Sequence, residues 1–168
     1  MRLKYYLSCM FIFLSFVMVN AQEKKETLKA GDPSPVFKYL DINGKEVSLK
    51  DLKGKYVYID VWATWCGPCK RELPHLKELE EKMHGKKIVF VSISCDQDKA
   101  AWERMVKEKG LGGIQLHNGG DREFMTAFEI RGIPRFILLD KKGKSVNPNM
   151  TRPSNPETEK TLKALKGI

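Results

Sequence analysis

One five-residue motif constrains this chain more than any other feature: residues 65–69 read Trp-Cys-Gly-Pro-Cys. The motif follows an apolar, β-rich run at residues 56–62 and precedes a stretch with helical periodicity. A Cys-x-x-Cys pair at such a junction places the sulfur of Cys66 at a helix N-terminus, where unpaired N–H groups and the helix dipole stabilise a thiolate. Because a thiolate attacks other disulfides, the motif in this context predicts redox chemistry.

A Cys-x-x-Cys pair has two alternative functions, as a structural disulfide or as half of a zinc site. Zinc normally takes four protein ligands, and the chain has no second Cys-x-x-Cys motif. Its three histidines, His75, His84 and His117, also lack ligand spacing. The sequence therefore favours a redox-active pair, and we expect no metal site.

The first 21 residues have the pattern of a secretory signal peptide. Arg2 and Lys4 form a basic start, residues 5–19 form an apolar core, and the segment ends in the small residue Ala21. The apolar run is shorter than the ~20 residues that a spanning helix needs, which favours a cleaved leader over an uncleaved membrane anchor. We expect a linker over residues 22–30 and one domain over residues 31–168.

Composition limits the remaining function classes. The chain of 168 residues has a formal charge of +9, but its lysines are scattered among acids, so we expect no nucleic-acid site. Without the leader three cysteines remain, Cys66, Cys69 and Cys95, and this odd number excludes a fully paired disulfide framework. A lone cysteine at a strand end such as Cys95 most often behaves as a small hydrophobe.

Hydrophobic periodicity and turn signals predict alternating strands and helices in the domain. Strands are expected at residues 36–41, 45–49, 56–62, 87–94, 114–116 and 135–139, and helices at residues 68–83, 99–109, 121–128 and 157–165. Asn43-Gly44 marks a hairpin turn, and Asp98 is a candidate N-cap. Residues 140–143 are expected to turn into an edge strand of uncertain length, and residues 148–156 look irregular. This alternation predicts an α/β domain.

The motif and its surroundings resemble a known family. Residues 65–70 resemble the active site of the thioredoxin superfamily, and the longer stretch 60–74, DVWATWCGPCKRELP, resembles its exported, membrane-associated TlpA/ResA-like branch. The similarity covers residues 31–142. It implies a thioredoxin-like fold with a central mixed β-sheet, helices on both faces and an N-terminal β-hairpin.

The resemblance also implies roles for four catalytic residues. Cys66 is the expected nucleophile, and Cys69 is the resolving thiol that releases the partner from a mixed disulfide. Asp60 matches a buried acid that takes the proton from Cys69 as this thiol attacks. Glu72 matches the acid that the ResA-like branch places near its thiols, although an ordinary surface acid in a helix first turn is the alternative.

The substrate side is predicted in the same way. By resemblance, Ile133-Pro134 is the cis-proline loop that faces the cysteines, and the backbone before the proline pairs with the substrate chain as an added strand. Trp65 offers an apolar docking surface. The Gly67-Pro68 dipeptide is the one that thioredoxins carry, which favours reduction over oxidation.

Together these features predict a thiol-disulfide oxidoreductase of the bacterial cell envelope that reduces disulfides in exported proteins. The resemblance implies a periplasmic monomer without a cofactor, supplied with electrons by a membrane donor of the CcdA/DsbD type, with apocytochrome c as one substrate class. The alternatives are a disulfide oxidase or isomerase and a non-enzymatic metal-binding module. A peroxidase is disfavoured because Ala63 stands where a peroxidatic cysteine normally has threonine or serine three residues before it.

Overall fold

The computed structural model describes residues 28–168, so the predicted leader and most of the linker lie outside the described residues. The strands are β1 (Lys38–Asp41), β2 (Glu46–Ser48), β3 (Tyr56–Trp62), β4 (Ile88–Ser94), β5 (Ile114–His117), β6 (Arg135–Leu139) and β7 (Ser145–Met150). The helices are α1 (Gly67–Lys82), α2 (Lys99–Lys109), α3 (Glu123–Ala127) and α4 (Pro156–Lys163), with a 3-10 turn at Leu49–Leu52.

The seven strands form one mixed sheet in the order β2-β1-β5-β4-β3-β6-β7. Strands β3, β4 and β5 run parallel, and every other neighbouring pair is antiparallel. The β1–β2 pair is the hairpin predicted from Asn43-Gly44. The predicted mixed sheet with an N-terminal hairpin is therefore confirmed.

Alternating side chains of β3 point to opposite faces of the sheet, and both faces are covered. Val57 and Ile59 pack in a core with Phe124 of α3. On the opposite face, Tyr58 packs in a second core with Leu76 of α1. The predicted helices on both faces are confirmed. β3 is buried along its whole length because it lies between these two cores.

Helix α1 begins where the cysteine motif predicts. Cys66 is its N-cap, and its sulfur accepts a hydrogen bond from the backbone N–H of Cys69. Pro68 lies in the first turn, where its missing N–H costs nothing because no helical acceptor exists there. Helix α2 matches its prediction, and the Asp98 side chain accepts a bond from the N–H of Ala101.

The expectation of an irregular segment at residues 148–156 was partly wrong. Strand β7 extends through Pro148 to Met150, with register shifts along its pairing with β6. Proline is tolerated here because β7 is an edge strand of the sheet, where an N–H is not needed for a ladder on the outer side. Within residues 28–168, no helix combines the length and apolarity required to cross a bilayer.

Candidate active site

Cys66 and Cys69 form a disulfide across the first turn of α1. The Cys66 sulfur accepts the N–H of Cys69 at 3.1 Å, so it occupies the position where the unpaired amides of the helix N-terminus would stabilise a thiolate. Both residues are largely buried, with 5% of Cys66 and 2% of Cys69 exposed. The pair belongs to a small apolar cluster with Trp62 and Trp102.

The loop before β6 approaches the disulfide from the opposite side. The peptide bond between Ile133 and Pro134 is cis. The carbonyl oxygen of Ile133 lies 3.8 Å from the Cys66 sulfur. The structure thus brings together Cys66, Ile133 and Pro134, which are separated by almost 70 residues in the sequence.

A buried carboxylate holds the segment that leads into the cysteine motif. Asp96, which is 1% exposed, accepts hydrogen bonds from the backbone N–H of Thr64 at 3.0 and 3.1 Å and from the Thr64 hydroxyl at 2.7 Å. It also accepts a bond from the Ser94 hydroxyl at 2.7 Å. No sequence pattern predicted this contact. The available signal was an acid two residues after the end of the predicted strand at Ser94.

Asp60 is buried beneath the disulfide cluster. It is 5% exposed and precedes Trp62 by two residues on the same face of β3, which places it roughly 7 Å further from the cysteines along the strand. Burial raises the pKa of Asp60 to about 7, and a hydrogen bond with Ser92 opposes part of this shift. A carboxyl with this pKa is able to accept and release a proton near neutral pH.

Glu72 is buried rather than lying on the surface. Its carboxylate accepts hydrogen bonds from the backbone N–H and the hydroxyl of Ser154, both at 3.0 Å. Arg152 approaches the same carboxylate at 3.7 Å. Glu72 therefore ties α1 to the segment before α4, and its role toward the thiols remains a prediction.

A surface groove of about 500 Å³ lies beside the cysteine motif. Its wall includes Trp65, Cys95, Arg122, Arg131 and Ile133. Trp65 is 68% exposed, and its role as a docking surface stays a prediction. We call this depression the Trp65 groove. Its lining carries two guanidinium groups and no carboxylate.

Cys95 is a free thiol in the wall of the Trp65 groove. It donates a hydrogen bond to the carbonyl oxygen of Trp62 at 3.3 Å. Burial, with the nearby charge of Asp96, raises the pKa of Cys95 above its usual value. At neutral pH this thiol is protonated and a weak nucleophile.

The chemistry available to this arrangement is reversible exchange between a dithiol and a disulfide. Within the part of the chain that the structure describes, no group of three or more His, Cys, Asp or Glu side chains is placed to hold a metal ion. The profile of the Redoxin family matches residues 29–165. The chain belongs to the Redoxin family.

Comparison with related proteins identifies the branch of the Redoxin family to which this protein is most similar. It is 31% identical over 143 residues to the thiol-disulfide oxidoreductase ResA of Bacillus thuringiensis, covering 84% of this chain and 82% of that protein. It is also 31% identical to ResA of Bacillus subtilis, covering 79% of this chain and 74% of that protein. These similarities confirm a TlpA/ResA-like thiol-disulfide oxidoreductase.

Solved structures agree with this placement. A solution structure from Bacteroides vulgatus, of a protein proposed to be a thiol-disulfide oxidoreductase, is 64% identical with a TM-score of 0.73 and covers 82% of this chain and 91% of that chain. The thioredoxin domain of another thiol-disulfide oxidoreductase from Bacteroides vulgatus is 28% identical with a TM-score of 0.75, covering 82% of this chain and 97% of that chain. The thioredoxin-like fold is confirmed.

Proposed function

We propose that this Redoxin protein reduces disulfides in exported proteins outside the cytoplasm, through the dithiol of Cys66 and Cys69. The observation that carries the proposal is the position of the Cys66 sulfur, at the N-terminus of α1 and 3.8 Å from the Ile133 carbonyl. This sulfur is the one that a helix terminus would activate, and it lies beside backbone to which an extended substrate can pair.

The reaction begins with the reduced protein. The Cys66 thiolate attacks one sulfur of a substrate disulfide, forming a mixed disulfide and releasing the other substrate sulfur as a thiolate, which takes a proton from solvent. Cys69 then loses its proton to Asp60 and attacks the Cys66 sulfur. The second substrate thiolate leaves, and the protein keeps the Cys66–Cys69 disulfide that the structure contains. Two electrons pass from the protein to the substrate.

The Trp65 groove is the proposed substrate site. An extended peptide there would contact the exposed Trp65 ring and form backbone hydrogen bonds with the loop at Ile133 and Pro134. Gly67 and Pro68 separate the two cysteines in the first turn of α1 and lie next to Trp65 at the proposed substrate side. Arg122 and Arg131 favour acidic residues next to the substrate cysteines, because no carboxylate of the groove lining balances them.

Location and partners follow from the leader pattern and the ResA relatives. The basic start and apolar core of the first 21 residues support export to the periplasm. An oxidising compartment requires an external electron source, and a membrane donor of the CcdA/DsbD type fits this need. Apocytochrome c, whose haem-attachment cysteines must be reduced, is the proposed substrate class.

A trapping experiment tests the proposal. In a Cys69→Ser variant the mixed disulfide cannot be resolved, so exported proteins should accumulate as covalent adducts on Cys66, visible by mass spectrometry after acid quenching. A Cys66→Ser variant is the matched control, because it keeps one thiol of the pair but lacks the activated one. Adducts that form equally on Cys69 or Cys95, or no adducts with exported proteins at all, would refute the assignment.

A further inference from the structure

One end of the sheet gathers lysines that are far apart in the sequence. Strands β3 and β4 begin side by side there, because Tyr56 is the register partner of Ile88. The antiparallel strand β6 ends there, because Leu139 pairs with Val57. The segments that border these strand ends therefore meet at one surface. They carry exposed lysines at seven positions: Lys50, Lys53, Lys55, Lys86, Lys87, Lys142 and Lys144.

Hydrogen bonds hold these segments together. The N–H of Tyr56 donates to the carbonyl oxygen of Lys87 at 2.9 Å, and the N–H of Gly54 donates to that of Lys141 at 2.9 Å. The segment after α4 reaches the same place, because the Lys141 ammonium donates to the carbonyl oxygen of Lys166 at 3.3 Å. The side chain of Lys166 is exposed. We call the surface formed by Lys166 and the seven lysines at the strand ends the basic pole.

Acidic side chains balance only part of this positive charge. Within residues 28–168, none of the lysines of the basic pole forms an ion pair with a side-chain carboxylate. The acids at this end are Asp32, Asp51, Glu81 and Asp140. Asp51 and Asp140 accept backbone N–H groups of their own turns. The lysines outnumber these acids, so the basic pole attracts anionic surfaces over a distance that the ionic strength sets.

The basic pole and the cysteines lie at opposite ends of β3. This strand runs from Tyr56 to Trp62, a length of about 20 Å at the usual rise per residue, and Cys66 lies beyond its far end. Among residues 28–168, the exposed aromatic side chain is Trp65, which is also at the cysteine end. A partner that covers the basic pole therefore leaves the disulfide and the Trp65 groove open.

The chain also enters the domain at the basic pole. The N–H of Gly31 donates to the carbonyl oxygen of Ser145 at 2.7 Å, and the N–H of Ser145 donates to that of Asp32 at 2.8 Å. Ser145 follows the turn that carries Lys142 and Lys144. Residues 1–21 have the pattern of an export leader, and only residues 22–30 separate them from the domain. The leader is thus joined to the domain at the basic pole and not at the cysteine end.

We propose that the basic pole docks on a bilayer surface with anionic headgroups and leaves Cys66 facing the surrounding compartment. The inference rests on the proposed location outside the cytoplasm. Clustered lysines are attracted to anionic lipid, whereas single-stranded nucleic acid is bound by exposed aromatic rings, and the exposed ring of the described chain lies at the opposite end. Salt screens the attraction beyond about 10 Å at about 0.1 M, so docking is reversible and the domain can leave the surface to receive electrons.

The first test is sedimentation of the oxidised protein with lipid vesicles. The protein lacks its first 21 residues, which removes binding by the leader and keeps both cores of the sheet. Vesicles that contain phosphatidylglycerol should bind it, and vesicles of phosphatidylcholine alone should not. About 1 M NaCl, which screens charges beyond about 3 Å, should release the bound protein.

Two matched variants locate the binding surface. The first replaces three lysines of the basic pole, as Lys55→Gln, Lys87→Gln and Lys142→Gln. Its partition onto anionic vesicles should fall at least about tenfold. The control makes the same change of charge at exposed positions of α1 and α2, as Lys77→Gln, Lys107→Gln and Lys109→Gln. Its partition should fall less than about twofold, because these lysines lie away from the docked surface.

The second test measures the orientation of the docked protein. A nitroxide on the lipid headgroup quenches tryptophans that lie at the bilayer surface. Trp65 should keep its fluorescence on labelled anionic vesicles, whereas a tryptophan introduced at the basic pole by Lys142→Trp should be quenched. Quenching of Trp65 would show that the cysteine end faces the bilayer and would overturn the proposal.

Three other results would also contradict docking of the basic pole. These are no binding to anionic vesicles, equal losses in the two triple variants, and binding to soluble poly-glutamate but not to vesicles, which would assign the surface to an acidic protein. If the basic-pole variant does not fold, the salt, lipid and quenching measurements still decide. The oxidised protein is used without substrate, so a failure here is distinguishable from a failure of the proposed reductase function.

Discussion

The Cys66 sulfur faces the Ile133 carbonyl oxygen at 3.8 Å. Cys66 is the N-cap of α1, which follows β3, and Ile133 precedes the cis-proline Pro134 at the start of β6. Antiparallel pairing of β3 with β6 brings the two residues together. The proposed nucleophile and the backbone proposed to bind the substrate are therefore positioned by the same two central strands.

Replacing Trp65 should weaken substrate binding without destabilising the domain. The ring is 68% exposed, so Trp65→Ala loses little packing, whereas an aromatic docking contact is commonly worth about 1–2 kcal/mol. We expect kcat/KM for a protein disulfide to fall roughly tenfold, mainly through KM. Leu40→Ala, at an exposed apolar residue of β1, is the control. Equal losses in both variants, or an unchanged KM for Trp65→Ala, would argue against a docking role.

Asp60 should make the protein less stable as the pH rises. Its folded pKa of about 7 lies above its ordinary value of 3.8, so the folded state binds the proton more tightly than the unfolded state. The free energy of unfolding should therefore fall between about pH 4 and pH 7 and level off above that range. Glu80, whose pKa is also raised, contributes in the same direction.

Asp60→Asn should remove most of this slope and stabilise the oxidised protein at pH 8 by about 2–4 kcal/mol. It should also slow the attack by Cys69. Urea unfolding at pH 5 and pH 8 measures the first effect, with the exposed Glu108→Gln as control. A variant less stable than the wild type at pH 8 would show that the Asp60 carboxylate is not desolvated.

Removing the Asp96 carboxylate should destabilise the segment before the cysteines. Asp96→Ala leaves the Thr64 N–H and the Thr64 and Ser94 hydroxyls without their acceptor in a buried position. We expect the free energy of unfolding to fall by at least about 2 kcal/mol. Asp96→Asn keeps one acceptor oxygen and should cost less. Equal stability of Asp96→Ala and the wild type in urea unfolding would contradict a stabilising role of the Asp96 hydrogen bonds.

Cys95 should be dispensable for disulfide exchange. Its raised pKa keeps it protonated at pH 7, so alkylation of the oxidised protein by iodoacetamide should be slow and should accelerate only at strongly alkaline pH. Cys95→Ser, which retains a donor for the Trp62 carbonyl, should keep the wild-type rate. Rapid labelling of Cys95 at pH 7, or loss of turnover in Cys95→Ser, would assign it a redox role.

Local sequence patterns were sufficient to predict most of the strands and helices. The limits of β3, α2 and β6 agree with the sequence because each is a short apolar run or an amphipathic helix with clear ends. Helix α3 is shorter than expected, since the Asp121 carboxylate accepts the N–H of Glu123 in the turn before the helix. The predicted edge strand after residue 143 is present as β7, but its end was placed too early because Pro148 is acceptable only at a sheet edge, and edge position depends on topology.

The site was predictable where its residues are adjacent in the chain and where the family resemblance supplied the rest. Cys66 and Cys69 lie in one helical turn, so spacing alone brought them together. The contact of Asp96 with Thr64 joins segments more than 30 residues apart. It depends on the pairing of β3 with β4, which no local pattern of the sequence specifies.

A redox titration of the Cys66–Cys69 pair tests the central claim most directly. The protein without its first 21 residues is equilibrated in thiol buffers of known potential, and the oxidised fraction is followed by alkylation and mass spectrometry. A reductase predicts a reversible two-electron couple near the thioredoxin value of about −270 mV. A couple near the about −120 mV of a strong oxidase would reverse the proposed direction. The absence of any reversible couple would contradict the dithiol chemistry itself.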